Sequence, residues 1–313
     1  MNADLLNALR CLKCRQPLDA PSGGTELACR SCGTSYPVVR GIPRFAGESY
    51  TASFGRQWNR YDVARDEEDE ATFPVKTGVA PSALKGLLVL DAGCGGGRYA
   101  RLIAGHGARV IGVDLSTAVE KAASLCADYP NASIVQGDLL DLPLAEGMFD
   151  FAFSIGVLHH SPDPRRAFAQ VASKVKPGGR LAVWLYRRNT PPQEWVNSTL
   201  RTLTTRLPSR VLEPLCVGLG VVGGIPVVNR TLNKVVNFSN HPDWTLRVCD
   251  SFDWYAPRYQ SHHTIDELKC WFEEEGFKDL TELAPARSGR VYDWAYRNNL
   301  VIGSGVNVAG TRA

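Results

Sequence analysis

The sequence predicts an α/β protein built on a parallel sheet, and three consecutive features near residue 90 indicate it. An apolar run, Leu87–Leu90, has the length of a buried strand. A glycine-rich turn, Asp91–Gly97, follows, and residues 98–104 can form a helix. Glycines in such a turn tolerate positive φ and allow close approach of a ligand, toward which the helix N-terminus points free N–H groups. The order strand, turn, helix is typical of a nucleotide-binding unit.

The glycine turn alone does not identify the nucleotide. A dinucleotide fingerprint, G-x-G-x-x-G, started at Gly93 places Arg98 at the third glycine position, whereas one started at Gly95 ends in the permitted Ala100. The wider sequence resembles the class I S-adenosylmethionine (SAM) methyltransferases. Five motifs carry this resemblance in the family's order: Asp91–Gly97, Val110–Asp114, Gln136–Leu139, Phe149–Ser154 followed by Val157–His160, and Lys176–Leu181.

The resemblance implies a Rossmann-like, seven-stranded methyltransferase sheet with SAM at the carboxyl ends of its strands. The turn should hold the methionine and sugar end through backbone groups, and Asp114 should accept from the ribose hydroxyls. Asp138 should accept from the adenine amino group. Asp91 has two equally expected roles, binding the methionine amino group or fixing the turn. The implied cofactor residues are Asp91, Gly93, Gly95, Gly97, Asp114, Leu115, Asp138, Leu139 and Ser154.

The N-terminal region contains a pattern for a metal. Cys11-x-x-Cys14 and Cys29-x-x-Cys32 are separated by fourteen residues, and two such knuckles supply the tetrahedral sulfur shell that zinc prefers. Residues 9–45 resemble the small zinc-ribbon domain that activates several tRNA and protein methyltransferases as a separate subunit. A closed Cys₄ shell predicts a structural zinc; four unligated thiols are the alternative. The ribbon could stabilise its own catalytic domain or dock a partner.

The chain is expected to divide into five parts. These are a zinc ribbon (1–45), a connector (46–80), a SAM-binding half (81–186), a substrate-lid insertion (187–263) and a C-terminal helix with the last strands (264–313). In the connector, Gln57 and Trp58 could close over the cofactor or pack on the main domain. The sixth and seventh strands are predicted at Phe277–Leu283 and Val306–Gly310.

Three short patterns predict helix starts. Thr117-x-x-Glu120 and Thr264-x-x-Glu267 have the form of capping boxes. Asp163-Pro164 combines an N-cap residue with proline at the first helical position.

Histidines are the candidate general bases. His262 and His263 precede the predicted helix N-terminus at Thr264, where the positive dipole end favours the neutral imidazole that a base needs. Residues 251–263 lack a helix or strand period and are predicted to be a loop. His160, beside the expected methyl group, is the third candidate. The alternative is that these histidines only pack and form hydrogen bonds.

Composition and charge limit the kinds of binding partner and the cellular setting that we expect. A net charge of +3 without a basic stripe argues against nucleic acid. The nine cysteines and the lack of a secretory signal favour a reducing, cytoplasmic setting. The apolar stretch 211–228 contains prolines, glycines and Glu213, so it is a poor membrane span. Flanking arginines would suit peripheral membrane contact, but a lid or a dimer contact explains the same residues, and the oligomeric state stays open.

These observations favour SAM-dependent methyl transfer to a small-molecule acceptor such as a sugar, lipid or polyketide-like compound. The reaction would be an in-line displacement in which the protein supplies alignment and, for a hydroxyl acceptor, a base. A tRNA or protein methyltransferase and a non-enzymatic SAM-binding scaffold are the alternatives. A nicotinamide dehydrogenase is disfavoured because its site does not require Asp138.

Overall fold

The computed structural model describes residues 1–20, 25–47, 64–188, 190–225, 235–283 and 305–313, together with positions 55, 228, 232 and 294. The N-terminal part is a short helix, α1 (Ala3–Ala8), and a three-stranded antiparallel sheet in the order β1-β2-β3. The strands are β1 (Glu26–Ala28), β2 (Ser35–Val39) and β3 (Ile42–Pro43). We call this part, residues 1–47, the ribbon.

The main domain is a seven-stranded mixed sheet in the order β6-β5-β4-β7-β8-β10-β9. The first five strands in that order are parallel, and β10 runs antiparallel to both of its neighbours. This is the predicted Rossmann-like methyltransferase sheet, including both C-terminal strands. The strands are β4 (Leu88–Ala92), β5 (Arg109–Asp114), β6 (Ala132–Gln136), β7 (Phe149–Ile155), β8 (Val175–Tyr186), β9 (Phe277–Glu282) and β10 (Gly305–Arg312).

Helices cover both faces of this sheet because its strands are apolar on both sides. On one face, α2 (Asp66–Thr77), α3 (Arg98–Gly105) and α4 (Val119–Leu125) pack through residues such as Phe73 and Ile103. On the other face, α5 (Pro164–Lys174) and α9 (Ile265–Glu274) contribute Phe168 and Phe272. Leu5 and Leu9 of the ribbon belong to the second core, so the two parts share one hydrophobic interior.

The ribbon packs against the edge strand β6. The amide of Phe45 donates to the Gln136 carbonyl at 2.8 Å, and the amide of Arg10 donates to the Pro143 carbonyl at 2.8 Å. The Arg44 guanidinium donates to the Gln136 side chain at 3.0 Å and pairs with Glu120. Because an uncovered edge strand can pair with other chains, this contact also protects the sheet.

The segment between β8 and α9 forms a helical layer, which we call the lid. The helices of its described residues include α6 (Pro191–Thr204), α7 (Ser209–Gly223) and α8 (Trp244–Tyr255). Leu212, Cys216, Phe252 and Tyr255 form its small core. Among the described residues, no helix has both the length and the apolar character to cross a membrane.

The local predictions have mixed outcomes. The Asp163 cap and the Thr264–Glu267 capping box are confirmed. The Thr117 box is wrong, since α4 starts at Val119 without a side-chain cap, and Glu120 instead pairs with Arg40 and Arg44. The predicted loop at 251–263 is also partly wrong, because residues 251–255 complete α8. Gln57 and Trp58 lie outside the described residues.

Candidate active site

A cleft opens at the carboxyl ends of the central parallel strands, where ligands bind in such sheets. Asp91 at the end of β4 and Asp114 at the end of β5 line one half. His160, Tyr186 and Asp253 line the other half. The first half thus comes from local strand–turn–helix motifs, and the second combines a loop, the end of β8 and the lid.

The glycine turn is shaped by left-handed backbone. Gly93, Gly95 and Gly97 have φ of 92°, 49° and 86°. A Cβ on Gly93 would lie 2.4 Å from a Val157 methyl carbon, and one on Gly97 would lie 2.8 Å from the Ala122 Cα. Gly93 and Gly95 line the cleft, whereas Gly97 packs against α4 and is not among its lining residues.

The Asp114 carboxylate is held in a fixed orientation. Its Oδ2 accepts from the Gly95 amide at 2.9 Å, which ties the glycine turn to β5. Its Oδ1 accepts from the Ser116 amide at 2.9 Å and from the Ser116 hydroxyl at 2.6 Å. Burial raises the pKa of Asp114 above its ordinary value, although these hydrogen bonds oppose the shift. The arrangement presents a carboxylate toward the cleft at the position expected from the sequence.

Asp91 lacks a full set of partners. The residue is 3% exposed, and its Oδ2 has no hydrogen-bond partner among the described residues. Burial, and secondarily the charge of Asp114, raise the pKa of Asp91 well above its ordinary value. A buried carboxylate oxygen without a partner is costly, and a cationic ligand group would satisfy it.

Of the other residues expected to bind the cofactor, some line the cleft and some do not. Leu115 and Leu139 line the same cleft. Asp138 is not among the lining residues, and its Oδ1 accepts from the Leu140 amide at 2.9 Å. Ser154 is fully buried and donates to the Ala92 carbonyl at 2.8 Å, which joins β7 to β4 rather than facing the cleft.

The opposite half of the cleft brings three polar side chains together, and two of them are hydrogen-bonded to each other. The Tyr186 hydroxyl donates to Asp253 Oδ2 at 2.5 Å, and His160 Nε2 lies 3.6 Å from the same oxygen. His160 Nδ1 lies 3.1 Å from the Tyr259 carbonyl, which can only accept, so this nitrogen carries a proton. Burial raises the pKa of Tyr186 well above its ordinary value, so the phenol stays a neutral donor.

His262 and His263 are not among the residues that line this cleft. His263 is buried, with Nδ1 3.0 Å from Glu267 and Nε2 2.8 Å from the Ser261 hydroxyl. Burial lowers the pKa of His263, which favours the neutral form that we expected, but both ring nitrogens are engaged. His262 Nδ1 lies 2.6 Å from Glu194. The geometry therefore favours His160 over these two residues as a base.

Sequence reasoning did not place Tyr186 at the site. The sequence signal for Tyr186 is weak, because this residue is simply the last one of β8. Asp253 lies in the stretch 251–263 that is predicted to be a loop, but nothing in the sequence of that stretch links it to Tyr186 and His160.

The four ribbon cysteines form a candidate metal centre. Their sulfur atoms all lie within 4.8 Å of one another, and three Sγ–Sγ distances are 3.4, 3.5 and 3.6 Å. Zinc with Zn–S bonds of about 2.3 Å needs tetrahedral edges of about 3.8 Å. Arg15 and Gly33 follow the two knuckles with positive φ, and each donates its amide to the first cysteine carbonyl of its knuckle. The donor set thus fits a tetrahedral metal.

Comparisons with known proteins agree with both parts of the architecture. Residues 90–183 match the family described as "Methyltransferase domain", so the chain contains a methyltransferase domain. Residues 2–41 match the family described as "Trm112p-like protein", so the N-terminal part is a Trm112p-like domain.

Curated relatives align only with the central part of the chain. A ubiquinone biosynthesis O-methyltransferase of Coxiella burnetii is 38% identical over 108 residues, which are 34% of this chain and 46% of the relative. O-methyltransferase resE of Aspergillus sclerotiorum is 35% identical over 130 residues, which are 38% of this chain and 49% of that protein. The chain therefore spans about half the length of the curated relatives it matches.

Among solved structures, a complex of the Haloferax volcanii Trm112 methyltransferase activator and a methyltransferase shows a similarity. It has a TM-score of 0.48 and 15% identity, covering 82% of this chain and 96% of that chain. At this level the similarity carries no functional weight.

The raised pKa of Asp91 predicts a pH-dependent stability effect. Because the folded-state pKa is above the unfolded value, folding stability falls as pH rises between the two values and stays low above the folded pKa. Asp91→Asn removes this titration. We expect the ligand-free variant to equal the wild type near pH 4 and to be more stable than the wild type near pH 8. Denaturant unfolding at both pH values measures this difference.

The matched control is Asp128→Asn, which changes an exposed aspartate of the same domain outside the cleft lining. It should leave stability unchanged at both pH values. If Asp91→Asn and the wild type are equally stable near pH 8, the conclusion that the buried Asp91 carboxylate destabilises the ligand-free fold is wrong.

Proposed function

We propose that this protein is a SAM-dependent methyltransferase that acts on a small-molecule acceptor. The observation that carries the proposal is the buried, partly unsatisfied Asp91 carboxylate beside the oriented Asp114 carboxylate at the ends of adjacent strands. SAM offers a primary ammonium group and two ribose hydroxyls, which match a buried anion and a second, fixed acceptor. Bound SAM supplies an electrophilic methyl group on a sulfonium.

Each residue of this half has a separate role in the proposal. Asp91 binds the methionine ammonium, and Asp114 accepts from the ribose hydroxyls. Leu115 and Leu139 contact the adenine ring, while Asp138 orders the loop that carries Leu139 through its bond to the Leu140 amide. Because Asp138 Oδ1 accepts from the Leu140 amide, we assign the expected contact with the adenine amino group to Asp138 Oδ2.

We infer that the acceptor is a hydroxyl compound with an apolar part. The relatives that match this domain are O-methyltransferases, and the acceptor half of the cleft contains a histidine–carboxylate pair. Around that pair the lining includes Ile155, Leu158 and Trp184. In such a pocket, the walls bury the apolar part of a ligand, and the few polar groups fix its orientation.

Proton transfer in this proposal uses His160 as the general base. The Tyr259 carbonyl holds the Nδ1 proton, so a neutral His160 directs its Nε2 lone pair to the side of the cleft where Asp253 lies. As the acceptor oxygen attacks the methyl carbon, its proton moves to Nε2, and the nearby Asp253 carboxylate stabilises the imidazolium. Tyr186 donates to Asp253 and keeps that carboxylate in position.

SAM binding is the first measurement. Calorimetric titration of the full chain with SAM and its demethylated product should show one site per chain. Asp114→Ala should weaken binding of both by at least about tenfold, because a bidentate contact to the ribose is lost. Asp128→Ala is the matched control and should bind like the wild type. Binding of NAD instead of SAM would overturn the proposal.

The base assignment is tested by turnover with labelled SAM and a panel of small hydroxyl compounds. His160→Gln should lower kcat by about 10²- to 10⁴-fold, the usual range for loss of a general base, with SAM affinity unchanged. His106→Gln, a half-exposed histidine outside the cleft, is the control. If His263→Gln lowers kcat and His160→Gln does not, the base lies elsewhere. SAM binding without transfer to any compound tried would favour a non-enzymatic scaffold.

We also propose that the cysteine cluster holds a structural zinc. Residues of the ribbon share a core with the main sheet, so loss of the metal should destabilise more than the ribbon itself. Metal analysis should find one zinc per chain, and Cys14→Ser should remove it and lower the melting temperature by several degrees. Cys270→Ser, at an exposed cysteine outside the cluster, should change neither quantity. A metal-free wild type with unchanged stability would contradict this role.

A further inference from the structure

A second cavity lies beside the acceptor half of the cleft. An aromatic layer separates the two: Tyr186 lines the cleft, His262 lines the second cavity, and their ring centroids are 6.2 Å apart. Trp254 stacks on Tyr186 at 4.5 Å and completes the layer. The second cavity is an open pocket lined by α6 and its C-cap, by Arg188, and by residues 258–260 and 262. Among the described residues, none lines both this cavity and the cleft.

Helix α6 presents a polar face to this cavity, while its Leu200 packs on the lid core. Amphipathic helices normally turn apolar residues inward. Here Trp195 is 71% exposed and Leu203 is 64% exposed. The residues of this helix and its C-cap that line the cavity are all polar, and they recur at spacings of three and four on one face: Glu194, Asn197, Ser198, Arg201, Thr202 and Thr205. The cavity-lining face of α6 therefore suits a polar ligand.

The walls of this cavity also contain unsatisfied polar atoms. Asn197 is 2% exposed, and within the described part of the chain neither atom of its amide group has a hydrogen-bond partner. The same holds for both amide atoms of Gln260 and for Nε2 of His262. Each such group costs free energy unless something pairs with it. These atoms belong to residues that line one cavity, where a bound molecule could pair with them once their side chains turn toward it.

The charge of the cavity favours an anion. Its lining has three arginines, Arg188, Arg201 and Arg258, and one carboxylate, Glu194, which is bonded to His262. The Arg201 guanidinium donates to the carbonyls of Trp254 and Pro257 at 2.5 and 2.6 Å, so its role is to fix the wall. Arg258 is exposed.

The side chain of Arg188 is 54% exposed. Within the described part of the chain, the Arg188 guanidinium has Glu267 and the His262 carbonyl as polar neighbours, both at 3.5 Å. Among the described residues, nearby carboxylates therefore balance the positive charges of Arg188 and Arg258 only weakly.

We propose that this cavity is a binding site for a small anion that carries phosphate or carboxylate groups. Arg188 and Arg258 supply the positive charge, and the amide groups of Asn197 and Gln260 supply hydrogen bonds. The site has a direct structural link to the cleft, because the Tyr259 carbonyl, between Arg258 and Gln260 in sequence, lies 3.1 Å from His160 Nδ1. The inference rests on residues outside the cleft and stands independently of the proposed methyl transfer.

Calorimetric titration of the full chain at constant ionic strength tests the proposal. Inorganic phosphate is the probe in one arm and succinate in the other, which distinguishes the two anion types. One saturable site for at least one probe is expected. Arg258→Gln and Asn197→Leu should each weaken it by about tenfold or more, the loss expected for a charge-assisted or buried hydrogen bond. Arg210→Gln, an exposed arginine outside the cavity, is the matched control and should bind like the wild type.

Thermal unfolding and SAM titration show whether each variant is folded. If Asn197→Leu does not fold, the exposed Arg258 carries the test. Absence of saturable binding of both probes would overturn the proposal. Binding that Arg258→Gln and Arg210→Gln weaken equally would also overturn it, since it would show an adventitious ion only.

Discussion

Two carboxylates at the ends of neighbouring strands, the buried Asp91 and the half-buried Asp114, impose the main constraint on this structure. Asp91 pairs in register with Gly112, two residues before Asp114, so the parallel pairing of β4 and β5 brings both acids to one edge of the sheet. Their mutual repulsion and burial are unfavourable in the protein alone. The glycine turn fits between them because its left-handed residues let the Gly95 amide reach Asp114. The local fold is thus organised around a charge that a cationic partner would neutralise.

The ribbon is connected to this half through one residue of the edge strand. Gln136 accepts from the Arg44 guanidinium through its side-chain oxygen and from the Phe45 amide through its carbonyl. Its side-chain nitrogen donates to the Leu115 carbonyl at 3.0 Å. Leu115 lines the cleft, so a single side chain joins the ribbon to the cofactor half. This geometry agrees with a ribbon that stabilises its own catalytic domain.

The sequence could predict features whose physics is local or repeats at fixed spacing. The acid-ended strands, the cysteine knuckles and the Thr264 cap depend on neighbours a few residues away. The Thr117 cap was wrong because tertiary contacts prevailed: Glu120, its required partner, binds Arg44, which is 76 residues distant in sequence. Asp253 and Tyr186 are 67 residues apart and meet only when the lid folds, so no spacing rule could join them with His160. The proximity of His263 to a helix start gave a plausible base, but its burial against Ser261 and Glu267 engages both nitrogens.

The two halves of the cleft therefore differ in which parts of the chain form them, and this difference is relevant to substrate specificity. The half with Asp91 and Asp114 is fixed by the sheet, whose register leaves little freedom. The acceptor half depends on Asp253 in α8 and on the loop that holds His160 through Tyr259, both parts of the lid region. Since loops and added helices can vary without disturbing a sheet, the proposed function implies that acceptor preference resides in the lid.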